Sequence, residues 1–302
     1  MRVNEYCADK TLLHNNNYIM TNTIDLNNNI ISIDYEDWYH GLTSTSKKFD
    51  NWNKFEKRIE YSTNILLNIL KTHNITATFF VLGILAKERP DLIQKISAEG
   101  HEIGVHTYKH SVVKDLTQKE FEKDIEISIE AIKKAVPNIS PIGFRAPYFS
   151  INSNMLWFYE SLAKYGFKYD SSVFPLKTPL YGIQKAERFF YSVNTQYGTI
   201  LEFPISTFKF YKLRIPMGGG FYFRFMPINL IKYFINGINK KEKQKVIMYF
   251  HPWEFDPLHP YQPKSFREKI SHYYGLNNTS KKFNSLINEI KFSSFKNSII
   301  WN

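Results

Sequence analysis

Short apolar runs and amphipathic stretches alternate along the first part of the chain. The apolar runs are typical of buried strands, and they lie at 30–33, 77–82, 101–105, 142–144 and 167–169. The stretches between them repeat apolar residues at helical spacing, at 55–72, 89–100, 118–135 and 153–165. A strand followed by a helix, repeated several times, predicts βαβ units and a parallel sheet or barrel.

The pattern changes between 180 and 225, where short strand-like pieces at 189–191 and 200–203 alternate with loops. Neither Lys-Ser nor Lys-Thr follows the run Gly218-Gly219-Gly220, so we expect a flexible loop there rather than a phosphate-binding loop. The remaining elements are predicted as a helix at 227–237, a strand at 246–250, a basic helix at 278–290 and a short strand near 298–301.

The first 28 residues are polar, rich in asparagine and without a sustained period. We therefore predict a flexible N-terminal arm over 1–28 and a single domain over 29–302.

Composition narrows the class of protein. Of the 302 residues 43% are hydrophobic, which is enough for a full core and excludes a disordered chain. The single cysteine, Cys7, excludes an internal disulfide and a thiolate metal cluster. No apolar run reaches the roughly 18 residues of a membrane span, and the N-terminus lacks a signal-peptide pattern, so we expect a cytoplasmic protein.

The net charge of +11 favours anionic partners. The sequence has no zinc finger, RNP motif or compact arginine run, so nucleic acid is not an expected partner. Basic segments such as 240–245 predict a peripheral contact with anionic lipid at the inner membrane face.

Polar residues that could carry chemistry follow several of the predicted strands. Parallel strands bring their carboxyl ends to one rim, where an α/β barrel builds its active site. His106 and His110 are four residues apart and can reach one metal ion. The same rim would receive three acidic residues, an arginine and a further histidine, namely Asp34, Glu36, Asp37, Arg145 and His251.

These side chains form the set that a metal-dependent hydrolase needs. Two imidazoles and one carboxylate hold a divalent ion and leave positions open for water and substrate. A second carboxylate can accept the proton of the water, an arginine can orient that carboxylate, and a separate histidine can protonate the leaving group. Zinc, iron, cobalt and nickel all accept such ligands, and zinc is the first expectation.

Five segments of the chain carry a family resemblance. They are SIDYEDWYH at 32–40, ATFFVLGILAKERPDLIQKISAEGHEIGVHTYKH at 77–110, GFRAPYFSI at 143–151, YGFKYDSSVFP at 165–175 and MYFHPWEFDP at 248–257. Through them the sequence resembles the polysaccharide deacetylases with a NodB-homology domain, carbohydrate esterase family 4. It looks most like the branch found beside exosortase and exopolysaccharide gene clusters. With looser matches at 216–224 and 272–276, the resemblance spans roughly residues 30–292.

The resemblance implies an α/β fold, an irregular (β/α) barrel of about seven strands, and hydrolysis of an N-acetyl group from an amino sugar. By position it implies His106 and His110 as metal ligands and Asp34 as the catalytic base. It also implies Arg145 as the residue that holds the base, and His251 as the catalytic acid.

Further positions are implied for the pocket that receives the sugar. Pro147 and Tyr148 would shape this pocket, and Asp170 would support its far side. Trp253 is one of several aromatic residues that could stack on a sugar ring. The tryptophan that usually follows the Asp170 region in the family is missing from this chain.

The third metal ligand is open between Glu36 and Asp37, because Asp34-Tyr35-Glu36-Asp37 replaces the family's adjacent Asp-Asp pair. On a continuing strand Asp34 and Glu36 share a face while Asp37 points the other way. If the strand reaches residue 36, Glu36 reaches the metal beside Asp34, whereas Asp37 can take that place if the strand breaks at Tyr35, and of the two we favour Glu36. Asp37 would otherwise hydrogen-bond a ligand histidine.

Two alternatives accompany the deacetylase hypothesis. The first is an allantoinase-like or cyclic-imide hydrolase on a similar barrel. The second is a glycan-binding assembly protein without catalysis, against which the set Asp34, His106, His110 and His251 argues. The expected partner of the enzyme is an N-acetylated glycan or its precursor.

Overall fold

The computed structural model describes residues 28–42, 44, 49–178 and 181–299. The arm predicted over 1–28 lies outside these residues except for Asn28, so the arm and the single-domain boundary stay predictions. None of the helices within the described residues combines the length and apolarity needed to cross a bilayer.

Seven strands form a parallel sheet in the order β10-β1-β2-β3-β4-β5-β7, and β6 pairs antiparallel with β7 at the edge. A short β11 pairs with β1, and β8 pairs with β9 in a separate hairpin. The strands are β1 (Asn29–Tyr35), β2 (Thr78–Val81), β3 (Glu102–Val105), β4 (Gly143–Phe144), β5 (Tyr169–Asp170), β6 (Tyr191–Thr195), β7 (Gly198–Glu202), β8 (Thr207–Phe210), β9 (Leu213–Pro216), β10 (Ile247–Phe250) and β11 (Phe292–Ser293). The α/β class and the seven parallel strands are as predicted.

Helices connect and cover these strands. They are α1 (Ile59–Thr72), α2 (Gly83–Glu88), α3 (Pro90–Ala98), α4 (Gln118–Ala135), α5 (Leu156–Lys164), α6 (Gly220–Phe225), α7 (Ile228–Gly237), α8 (Phe266–Tyr273), α9 (Thr279–Ile287) and α10 (Phe295–Ser298). Short 3-10 turns lie at Phe49–Lys54, Val113–Asp115, Pro147–Phe149, Pro252–Phe255 and Leu276–Asn278, and a π-turn lies at Ile238–Glu242. Helix α4 has the predicted bounds because Thr117 and Glu120 form a capping box at its start.

Strand β1 shows how the sequence places chemistry at the rim. All seven of its residues are buried, and alternate side chains project to opposite faces of the sheet. Ile31, Ile33 and Tyr35 join the large apolar cluster shared with the helices, whereas Ile30 joins the smaller cluster inside the barrel. Asp34 shares the inner face with Ile30, at the carboxyl end of the strand.

The glycine run at 218–220 is not the flexible loop that we predicted. Gly218 accepts a hydrogen bond from the backbone N–H of Tyr249 at 2.7 Å, and Gly219 has φ +138°. A Cβ atom on Gly219 would lie 1.7 Å from the carbonyl oxygen of Tyr249. Glycine is therefore required for a close backbone approach to β10, next to the gap between β7 and β10.

The C-terminal strand predicted near 298–301 lies mostly outside the described residues. Within them helix α10 ends at Ser298 and Ile299 forms a β-bridge, while a short strand lies earlier, at Phe292–Ser293. Phe295 packs inside the barrel with Tyr169 at 4.7 Å between ring centroids, so this segment closes the barrel floor with side chains.

Candidate active site

The first carboxylates follow the end of β1. The strand stops at Tyr35, yet the side chain of Glu36 still points to the two histidines of the HxxxH segment. The condition on the strand was therefore not needed, because Glu36 reaches the histidines from the turn after Tyr35, and its role as the third ligand stays a prediction. The backbone N–H of Asp37 donates to Nδ1 of His40 at 2.9 Å, and this hydrogen bond stabilises the turn after the strand.

The two histidines lie on a tight loop that leaves β3. Thr107 and His110 both have positive φ, +62° and +56°, a conformation that costs energy in residues with a Cβ. The loop is held by Asp124 of α4, whose carboxylate accepts from the backbone N–H of Tyr108 at 2.7 Å and from Oγ of Ser111 at 3.1 Å. Asp124 therefore maintains a backbone shape that brings both imidazoles to one side.

Glu36, His106 and His110 form a group of potential metal ligands. One donor atom from each lies within 4.8 Å of the others, and all three residues are buried. Oε2 of Glu36 is 2.9 Å from Nε2 of His110 without a directed hydrogen bond, and Nδ1 of His110 also lacks one. Buried polar atoms without partners are costly, so they favour a further group at this point.

The protonation of these residues also fits a metal ion. Nδ1 of His106 is 2.7 Å from the carbonyl oxygen of Arg145, so Nδ1 carries the proton and Nε2 keeps its lone pair. Burial lowers the pKa of His106 to about 4, which keeps the ring neutral. Burial opposes ionisation of Glu36, but His110, His251 and His106 outweigh it, so the pKa of Glu36 lies well below its usual range.

Asp34 and Arg145 form a buried ion pair beside this group. Nη1 of Arg145 donates to Oδ1 of Asp34 at 2.7 Å and to Oγ of Ser32 at 2.8 Å. Nε and Nη2 of Arg145 bind the carbonyl oxygen and Oγ of Ser171, and the guanidinium lies 4.4 Å from the ring centroid of Phe80. The arginine is fixed from three sides, so it holds the Asp34 carboxylate in one orientation.

His251 follows β10, which pairs with β1 on the side away from β3 and its two histidines. Its Nε2 lies 3.7 Å from Oε1 of Glu36, and its Nδ1 lies 2.7 Å from Oε1 of Glu254. Its side chain is 17% exposed, against 2% for Glu36, so His251 can meet a substrate. Burial lowers the pKa of His251, but the hydrogen bond and charge of Glu254 and the charge of Glu36 outweigh it and leave the pKa above its ordinary value.

Glu254 is itself held by Arg224 of α6. Nε of Arg224 donates to Oε2 of Glu254 at 2.8 Å, and both side chains are almost completely buried. The other guanidinium nitrogens donate to the carbonyl oxygens of Ser271, His272 and Tyr274. Burial opposes ionisation of Glu254, but Arg224 and His251 outweigh it, so the pKa of Glu254 lies below its ordinary value.

Aromatic side chains line the same site. Nε1 of Trp253 donates to Oε1 of Glu36 at 3.2 Å, and its ring stacks on His272 with centroids 3.9 Å apart. Trp253 is only 4% exposed, so it supports the ligand carboxylate more than it offers a free face. Tyr148 is partly exposed and lies 4.7 Å from the ring of His110, in the turn that begins at buried Pro147.

Two predicted site residues lie elsewhere. The carboxylate of Asp37 accepts from the backbone N–H groups of Trp38, Arg58 and Ile59, so it caps the start of α1 and takes no part in the histidine group. Since the chain turns after Tyr35, Asp37 projects toward that helix.

Asp170 is the second. Its carboxylate accepts from the backbone N–H and Oγ of Ser172, and it lies beside buried Glu202, which Tyr159 of α5 also contacts. Tyr169 points into the barrel, so Asp170, the next residue along β5, faces the helix layer. The Asp170 carboxylate thus bonds within the protein, and the support that it would give to the far side of the sugar pocket stays a prediction.

Sequence reasoning missed Asp124, Glu254 and Arg224. Glu254 stands three residues after His251, in a turn where the two can meet, so this spacing was a usable signal. No pattern in the sequence indicated Asp124 or Arg224, because each is a single charged residue on a helix and resembles an ordinary surface position.

Comparisons with known proteins show what the two parts of the chain are similar to. Residues 47–169 match the family described as polysaccharide deacetylase, and residues 171–299 match a domain of unknown function, DUF3473. A chitooligosaccharide deacetylase of Sinorhizobium fredii is 39% identical over 83 residues, 28% of this chain and 39% of that protein. A peptidoglycan-N-acetylglucosamine deacetylase of Bacillus cereus is 38% identical over 98 residues, 32% of this chain and 35% of that protein.

The match thus spans well under half the length of either relative. Among solved structures, a candidate polysaccharide deacetylase of Mycobacterium smegmatis is similar over 90% of this chain and 89% of its own, with a TM-score of 0.61 and 20% identity, which shows a shared fold. The chain thus carries a polysaccharide deacetylase domain over residues 47–169, followed by DUF3473 over residues 171–299.

Proposed function

We propose that the chain is a metal-dependent hydrolase that removes N-acetyl groups from an amino-sugar-containing glycan or its precursor. One observation carries this proposal. Near the group Glu36, His106 and His110 stand a carboxylate held by arginine, Asp34, and a histidine held by glutamate, His251. Hydrolysis of an amide needs a base for the water and an acid for the amine, and these two residues could supply them.

Glu36, His106 and His110 would hold a divalent ion, for which zinc is our choice. Such an ion supplies Lewis-acid polarisation of the acetyl carbonyl and makes water a better nucleophile. The chain's own contribution begins with Asp34, which accepts the proton of the attacking water. Arg145 keeps Asp34 in the orientation that this transfer requires, because Ser32 and Ser171 hold the guanidinium.

His251 acts at the other end of the scissile bond. An amine leaves poorly as an anion, so the nitrogen must receive a proton as the C–N bond breaks. Nδ1 of His251 is engaged by Glu254, which leaves Nε2 to donate that proton. The His251 side chain is 17% exposed, against 5% for Asp34 and 0% for Arg145, so it lies where a sugar amine can approach.

The substrate class is supported by what the relatives are named for, chitooligosaccharides in one case and peptidoglycan N-acetylglucosamine in the other. The assignment to the exosortase and exopolysaccharide branch stays part of the proposal. So does action on a cytoplasmic precursor at the inner membrane face.

The test is acetate release, measured over a panel of N-acetylated oligosaccharides, nucleotide sugars and lipid-linked glycans after loading with zinc, iron, cobalt or nickel. We expect acetate from at least one N-acetylated sugar, and loss of release in Asp34→Asn with bound metal retained. Ring opening of a cyclic imide without acetate release would favour the amidohydrolase alternative. Glycan binding by the metal-loaded protein without any acetate would favour the non-catalytic alternative.

A further inference from the structure

The hairpin formed by β8 and β9 stands apart from the main sheet. Tyr211 and Lys212 form its two-residue turn, and Tyr211 has φ +52°. The hairpin pairs with no other strand among the described residues, and its base lies between Ser206 and Met217. Ser206 hydrogen-bonds β10 through its backbone N–H and its Oγ, so the base is fixed to the barrel wall.

One face of the hairpin is apolar along its whole length. Phe208 pairs with Ile215 and Phe210 pairs with Leu213, and directly opposed residues project to the same side. Phe208 stacks on Phe234 of α7 with centroids 4.2 Å apart, so the inner pair is used by the fold. The outer pair extends past this contact, with Phe210 53% and Leu213 67% exposed, and Tyr211 at the tip is 83% exposed.

The other face and the turn are basic. Lys209 and Lys212 are exposed, and residues 207–216 include no acidic residue. Arg214, opposite Lys209, is half-buried and donates to the carbonyl oxygens of Pro175 and Ala186, so the two lysines carry the exposed charge of the hairpin. The π-turn Ile238–Glu242 joins the hairpin base, because Arg188 binds both Glu242 and the carbonyl oxygen of Thr207.

This junction adds charge next to the hairpin. Lys240, Lys241 and Lys243 are exposed around the π-turn. Lys245 also belongs to the basic segment predicted at 240–245. It is buried and donates to the carbonyl oxygen of Ser298, so it does not contribute to this surface.

We propose that the β8–β9 hairpin docks the protein on an anionic bilayer, with Phe210, Tyr211 and Leu213 inserted at the interface. Aromatic and aliphatic side chains flanked by lysines match the boundary between acyl chains and headgroup phosphates. Stable attachment to a membrane needs both an apolar group that inserts and a basic patch that binds anionic headgroups, and the hairpin has both.

A protein partner fits this surface less well. The three tip side chains expose roughly 400 Å² in all, about half of what each partner contributes to a standard protein interface. Lipid needs no shape complementarity, so a small apolar tip with surrounding positive charge is sufficient. The docking proposal is independent of the proposed hydrolase activity.

The experiment is co-sedimentation of the full chain with vesicles of phosphatidylcholine, with and without about 30% phosphatidylglycerol. We expect binding to the anionic vesicles that weakens with added salt. The double variant Phe210→Ser/Leu213→Ser should lower the partition coefficient about tenfold. Tyr197→Ser is the matched control, because Tyr197 is 52% exposed at the β6–β7 turn and should not alter binding.

The charge is tested separately. Lys209→Ala/Lys212→Ala should lower binding to anionic vesicles about tenfold, whereas Lys123→Ala/Lys134→Ala removes the same charge from α4 and should have little effect. Equal binding by the hairpin and control variants, or no binding by the wild type, would overturn the proposal.

Two further measurements separate other outcomes. A wild-type dimer that becomes monomeric in Phe210→Ser/Leu213→Ser would assign the tip to self-association instead of lipid. Acetate release from a soluble oligosaccharide should be the same in all hairpin variants, so its absence in every protein would count against the hydrolase proposal alone.

Discussion

Nδ1 of His251 lies 2.7 Å from Oε1 of Glu254, and Oε2 of the same carboxylate accepts a hydrogen bond from Nε of Arg224 at 2.8 Å. A guanidinium, a carboxylate and an imidazole thus follow one another from the buried interior to the site. The buried arginine keeps the glutamate ionised, and the glutamate in turn stabilises a protonated, correctly oriented His251.

Glu254→Gln should therefore impair the proton transfer that His251 performs. We expect kcat for an N-acetyl sugar to fall about 10- to 1,000-fold with little change in KM, because an amine cannot leave without its proton. An aryl acetate with a nitrophenol leaving group needs no such proton, so its hydrolysis should change little. Steady-state kinetics on both substrates measures the difference.

A merely structural role for Glu254 would predict equal losses on the two substrates. Glu242→Gln is the matched control, since Glu242 also binds an arginine, Arg188, but at the base of the hairpin. It should leave both activities unchanged.

His251→Ala should keep its metal and lose turnover. Nε2 of His251 is 3.7 Å from Glu36 and is not part of the ligand group, so metal content should equal that of the wild type. General acid catalysis is worth about 10²–10⁴-fold, which is the expected loss in acetate release. Acetate release near the wild-type rate would show that another residue protonates the leaving amine.

Glu36→Ala and Asp37→Ala should fail in different ways. Loss of Glu36 removes a ligand, so metal affinity should fall more than about 100-fold, beyond the usual effect of outer-shell changes. Loss of Asp37 leaves three backbone N–H groups without their acceptor, two at the start of α1 and that of Trp38 in the turn after β1, so the free energy of unfolding should fall by about 2–4 kcal/mol. Metal analysis of the purified proteins and urea denaturation distinguish the two, and metal loss confined to Asp37→Ala would reverse the assignment.

The pair Asp170 and Glu202 predicts a pH dependence of stability. Burial raises the pKa of Glu202 well above its usual value, and the adjacent Asp170 raises it further. The folded protein then binds more protons than the unfolded chain above about pH 4.3, so this pair lowers stability as pH rises toward the folded pKa.

Glu202→Gln should flatten that part of the stability curve, because glutamine donates to Asp170 without titrating. Urea denaturation between pH 5 and pH 8 measures the slope. Glu130→Gln, on the exposed side of α4, is the control and should retain the wild-type slope. An unchanged slope in Glu202→Gln would mean that the pair is ionised in the folded state.

Most strands and helices of the sheet could be predicted, because the apolar pattern that indicates each one lies within a single short segment of the sequence. Helix α4 repeats apolar residues at helical spacing and starts at a capping box, so both its existence and its bounds follow from its own residues. The segment from His106 to His110 was recognisable for the same reason, since both ligands lie in one short loop.

The rest depends on contacts between distant segments. Glu36 and Asp37 are adjacent acidic residues, and only the turn after Tyr35 decides which one meets the histidines. Arg224 meets Glu254 through the packing of α6, which no local pattern predicts. The β8–β9 hairpin was missed because its apolar residues alternate over only four positions per strand.

The first family match ends at residue 169, in strand β5, and the second begins at residue 171, directly after that strand. The second region therefore begins in the middle of the sheet, where it adds β7 and β10 and brings His251 and Glu254. The histidine ligands belong to the first region, and Glu36 precedes both. The region of unknown function thus shares one sheet with the first region, and under the proposed function a gene that kept only the first region would encode His106 and His110 without the proposed acid, His251.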